Sequence, residues 1–108
     1  MEPSRIEILQ QTLQSSPENS FARYALALEL SRAGQPEQAL EQFQRLLKYQ
    51  PEYAAAYLQA GMLLTSQGRV EEAREIYKKG AEVNRRQGNL HAESEIEAAL
   101  EGLPAQNA

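Results

Sequence analysis

The sequence contains neither cysteine nor aspartate, and it has a single histidine, His91. Without cysteine there are no disulfides, no cysteine-ligated zinc, no iron–sulfur clusters and no thiol nucleophiles. Without aspartate, with all 15 acidic residues glutamate, EF-hand loops and aspartyl dyads are excluded, and one imidazole is too few for a multi-histidine metal site. Valine, isoleucine and threonine supply only 8 of 108 residues, which argues against a sheet. The longest apolar run, Tyr53 to Leu58, is far short of the ~20 residues of a membrane span. No catalytic residues, cofactor or metal are expected, and neither a nucleic acid nor a membrane is an expected partner.

Ala, Leu, Glu, Gln, Arg and Lys, all strong helix formers, fill 68 of 108 positions. The length suits one domain. Leu, Ile, Val and Phe total 22, enough with the alanines for a thin, layered core. The net charge of −4 divides unevenly: −1 over residues 1–34, −1 over 35–68, +2 over 69–86 and −4 over 87–108. That distribution lacks the basic face of a nucleic-acid binder. The opening Met1-Glu2-Pro3-Ser4 has no signal-peptide pattern, and a cytoplasmic protein is expected.

Shifting the sequence by 34 residues superposes Pro17 on Pro51, Glu18 on Glu52, Ala22 on Ala56, Leu30 on Leu64 and Gly34 on Gly68. Glu37, Ala39 and Glu41 fall on Glu71, Ala73 and Glu75, and Phe43 falls on Tyr77. Gly34 and Gly68 interrupt two apolar-periodic stretches where a left-handed residue would end a helix, so each unit reads as two helices. Pro17, Pro36 and Pro51 each suit a first helical turn, where no N–H is needed. In the second helices Ala39, Phe43, Leu46 and Leu47, and likewise Ala73, Tyr77, Gly80 and Ala81, recur at the spacing of a buried stripe.

This period and punctuation resemble the tetratricopeptide repeat, a helix–turn–helix unit. The resemblance implies an all-α, right-handed α-solenoid of antiparallel helix pairs: two repeats plus capping helices, about six helices, in a single domain over 1–104. The expected parts are an N-terminal half-repeat helix at 3–15, repeats at 17–50 and 51–87, a cap helix at 89–103 and a flexible tail at 105–108. Ala27, Gly61, Ala39 and Ala73 match the family's small residues, where helices approach closely. Two departures stand out. The large aromatic near the start of the first helix is Arg23 in one unit and Tyr57 in the other, which loosens a packing position, and Arg85 replaces the closing proline of the second unit, so that its last helix runs on toward Gln87 before Gly88 ends it.

Both ends carry capping signals. Ser4-Arg5-Ile6-Glu7 reads as a capping box opening a helix with Ile6, Leu9 and Leu13 on one stripe. Beyond Gly88, Ala92, Ile96, Ala99, Leu100 and Leu103 form an apolar side opposite Glu93, Glu97 and Glu101, which are expected to face solvent.

Among residues that could carry chemistry, His91 reads as a surface histidine. Glu71, Glu72 and Glu75 read as charges favoured at a helix start, and Arg74, Lys78, Lys79, Arg85 and Arg86 as a solvated face ending near a helix C-terminus. The candidate site is a surface. By the family's geometry the concave face takes Phe21, Tyr24, Ala25, Leu28, Ser31 and Arg32 from one first helix and Ala55, Leu58, Gln59, Met62, Thr65 and Ser66 from the other. Members of the family that clamp a terminal carboxylate use Lys, Arg and Asn where this chain has Tyr24, Leu28, Leu58 and Met62. The expected function is a non-catalytic adaptor or scaffold that binds a protein or peptide in this groove, unless the cap helix covers it. The alternatives are a self-associating structural repeat, such as a homodimer, and a regulatory or ligand-binding domain.

Overall fold

Six helices occupy most of residues 2–105, the part of the chain that the computed structural model describes: α1 (Arg5–Ser15), α2 (Ser20–Arg32), α3 (Pro36–Tyr49), α4 (Ala55–Ser66), α5 (Val70–Arg86) and α6 (Leu90–Glu101). No strand occurs among those residues. The expected tail, Ala105 apart, lies outside the described residues. Between Tyr53 and Ala54 the chain divides into two compact units, each of three helices.

The helix boundaries follow local chemistry. The Ser4 hydroxyl accepts from the Glu7 amide at 3.1 Å and the Asn19 carbonyl oxygen accepts from the Ala22 amide at 2.9 Å, capping α1 and α2. Three helices end on glycines with φ of +75°, +74° and +78°: Gly34, Gly68 and Gly88. At each, the next residue's amide reaches back to the helix, Gln35 to the Leu30 carbonyl at 2.9 Å, Arg69 to Leu64 at 2.9 Å and Asn89 to Asn84 at 2.8 Å. These are Schellman closures, and the left-handed residue they need is glycine in all three cases.

The prolines behave differently from expectation. Only Pro36 opens a helix. Pro17 and Pro51 each sit in a turn ahead of the helix, closed by the Asn19 amide on the Ser16 carbonyl and the Tyr53 amide on the Gln50 carbonyl, both at 3.0 Å. The fixed φ of proline suits the second position of such a turn as well as it suits a first helical residue.

In unit 1, α2 packs against both α1 and α3. It buries Ala22, Ala25, Leu26, Ala27 and Leu30, as expected of a helix with neighbours on two sides. From α3 come Ala39, Leu40, Phe43 and Leu46; Leu47, expected in the buried stripe, is only half-buried, and Leu40 joins the core instead. In unit 2, α5 lies against α4 and α6, and α6 also touches α4. Gly61 and Gly80 allow the closest approach: a side-chain carbon at Gly61 would strike the Tyr77 ring, and one at Gly80 would strike Tyr57. Ile96 and Leu103 complete this core from the C-terminal side.

Candidate interaction surface

On α2, Phe21 is 71% exposed. Tyr24 and Leu28, one and two turns further along, are half-buried. The Tyr24 ring meets Phe43 edge-on at 6.4 Å between centroids and Tyr53 at 5.3 Å. Burial, and then the neighbouring Tyr53, pushes the Tyr24 phenol above its ordinary pKa against a smaller opposing effect of Arg32; burial does the same to Tyr53. Ala25 is buried and so presents little to a partner. Arg32 is exposed, and its guanidinium is held by Glu29 at 3.0 Å, as is that of Arg5 at 3.0 Å. Ser31 is exposed.

On α4, Met62 is 51% exposed, Leu58 and Gln59 are half-buried and Ala55 is exposed. Thr65 and Ser66 are exposed, but their hydroxyls donate to the Gly61 carbonyl at 2.8 Å and the Leu63 carbonyl at 2.7 Å. Although α6 packs onto unit 2, it leaves Met62 in contact with solvent. Each first helix therefore offers an apolar side chain to solvent, with Arg32, Thr65 and Ser66 of the expected set already bonded within the chain.

The remaining candidates take structural or solvated places. His91 is exposed, 3.5 Å from Glu95. Glu71 and Glu72 lie in the first turn of α5, where they pair with Arg74 at 3.2 Å and Arg69 at 2.7 Å. Glu93 corrects an expectation: it is half-buried, accepting from Arg85 at 2.8 Å across the turn between α5 and α6. No group of residues suited to holding a metal ion occurs among the described residues, and no helix there is long and apolar enough to cross a membrane.

Two residues acquire roles that sequence reasoning missed. Asn84 is buried, and its amide donates to the Gly80 carbonyl at 2.8 Å and the Ala54 carbonyl at 3.3 Å while accepting from Asn89 at 3.2 Å. Arg23 donates to Gln42 at 2.7 Å and to the Pro17 carbonyl at 2.9 Å, beside a cavity of about 370 Å³. Its departure from the aromatic of the repeat pattern was the available signal.

Residues 24–89 match the sequence model of a family described as Tetratricopeptide repeat. A curated protein, the small glutamine-rich tetratricopeptide repeat-containing protein 2 of Mycosarcoma maydis, is 32% identical over 79 residues, which is 73% of this chain; the chain spans about a fifth of that relative, 22% of its length. Among solved structures, a tetratricopeptide repeat domain protein from Salinibacter ruber is similar with a TM-score of 0.79 at 33% identity, covering 86% of this chain and 97% of its own. The Sgt2 TPR domain from Aspergillus fumigatus is similar with a TM-score of 0.70 at 26% identity, covering 95% of this chain and 74% of its own. These likenesses place the six helices in the all-α, helical-repeat fold class.

Proposed function

Because the chain belongs to the tetratricopeptide repeat family, whose domains are generally protein-interaction modules, we propose that it is a non-catalytic adaptor that receives an apolar peptide or helix on the exposed face of a first helix, α2 in one unit or α4 in the other. The observation that carries this reading is the exposure of Phe21 and Met62 on the first helices of the two repeats. Large apolar side chains left in water on a rigid helix are the kind of anchor an amphipathic partner helix buries. Arg32 is already paired with Glu29, and Tyr24, Leu28 and Leu58 bring no charge, which favours an apolar ligand over an anionic one at these positions.

Phe21→Glu and Met62→Glu test the reading. A carboxylate at an exposed position stays hydrated in the free protein, whereas burying it unpaired beneath a partner costs several kcal/mol. Capture of the partner should therefore be lost while thermal melting stays close to that of the parent. A large drop in melting temperature, or capture unaffected by both substitutions, would overturn the assignment. Sedimentation at several concentrations reads the competing possibility that the same faces join two copies of this chain.

A further inference from the structure

The 34-residue period places Arg23 where the second unit has Tyr57, and Leu46 where it has Gly80. In unit 2 the buried Tyr57 lies directly over Gly80. In unit 1 the aromatic is absent, and the Arg23 guanidinium is fixed by Gln42 and the Pro17 carbonyl. A cavity of about 370 Å³ lies beside it, walled by Pro17, Leu46 and Tyr49 and edged by Arg23, Arg45 and Glu18. Neither arginine has an ion pair among the described residues. Arg23 stands two positions from Phe21 and so points to a different side of α2.

We propose that this cavity takes the side-chain carboxylate of a glutamate within an acidic peptide, with the glutamate methylenes against Leu46 and Tyr49. Two guanidiniums and one rim carboxylate sum to a single positive charge, which matches a monoanion rather than a phosphate dianion. Burial, and then the nearby Arg45, lower the pKa of Arg23, and an anion between the two arginines relieves that repulsion. Arginine also offers a carboxylate two parallel donors. The apolar wall adds what a bare anion cannot use.

The probe is a blocked peptide, acetyl-(Leu-Glu)3-amide, titrated into the full chain and followed by backbone and arginine side-chain NMR shifts, with acetyl-(Leu-Gln)3-amide and sodium phosphate as the other arms. The expected result is perturbation at Ser20, Arg23, Arg45 and Tyr49 by the glutamate peptide. Arg45→Gln should weaken it about tenfold, as loss of a charge-assisted hydrogen bond does. Glu18→Gln should tighten it, and Met62→Glu should leave it unchanged. Arg45 is exposed, so its variant should melt with the parent. Equal binding of the glutamine peptide, phosphate acting at the same concentration, an Arg45→Gln variant that binds as the parent does, or shifts confined to Phe21 and Met62 would each overturn the proposal. The last outcome would leave the reading of the α2 and α4 faces intact.

Discussion

Where Tyr57 rests on Gly80 in unit 2, Arg23 and Leu46 occupy the same repeat positions in unit 1, and where unit 2 buries Asn84, unit 1 has the exposed Gln50. Unit 1 instead gathers Tyr24, Phe43 and Tyr53 into an aromatic cluster, with Leu58 standing at the place of Tyr24 in the other unit. The two solutions teach that the repeat constrains the volume shared between facing helices more than the identity of either residue. Bulk can come from the first helix, as in Tyr57 over Gly80, or from the second, as in Leu46. In unit 1 the polar Arg23 edges a cavity.

The largest expected effect breaks the feature both units share. Phe43→Ala and Tyr77→Ala empty the same buried repeat position, and each should cost about 3–5 kcal/mol in denaturant unfolding. A near-neutral result for either would mean that the two units do not use this position alike.

Gly80→Leu sharpens the comparison, since it imports the bulk of unit 1 beneath an unchanged Tyr57 and should cost about 1–3 kcal/mol by overpacking. Adding Tyr57→Arg completes the exchange, and part of that loss should return. A double-mutant cycle measures the coupling, and simple additivity would argue against shared volume. Smaller again is Asn19→Ala, which removes the α2 cap at a cost of about 1 kcal/mol. The position before α4, Ala54, has no side-chain cap to lose.

The smallest effect is a pH dependence that arises in unit 1. The phenols of Tyr24 and Tyr53 ionise above their ordinary value of 10.0 in the folded chain, so the unfolded chain loses these protons first as pH rises. Their contribution to stability is thus complete below the unfolded value and lost as pH climbs through the folded one. Thermal melts above pH 10 should fall less steeply in the Tyr24→Phe, Tyr53→Phe double variant than in the parent. An unchanged slope would show that the cluster does not favour the neutral phenols.

The helix stops were legible in the sequence because only glycine adopts their left-handed conformation without strain, which made Gly34, Gly68 and Gly88 unambiguous. The small residues at Ala27, Gly61, Ala39 and Ala73 were legible for a similar reason, since bulk at a close approach has nowhere to go. Pro17 and Pro51 misled, because the same φ serves a turn and a helix start. Asn84 and the Glu93–Arg85 pair were not legible: their partners are brought together by how α4, α5 and α6 pack. At the candidate surface, helical spacing identified Phe21 and Met62 but could not separate them from Ala25, whose burial depends on the packing around α2.

Asn84 has a consequence for motion. One side chain joins the carbonyl just before α4, the body of α5 and the residue just before α6, so lifting either flanking helix at its first turn breaks a hydrogen bond to the same buried amide and disturbs the one that holds the other. Amide hydrogens at those two helix starts should therefore exchange with solvent together, at a common rate set by opening of unit 2 as one cooperative block rather than by independent fraying.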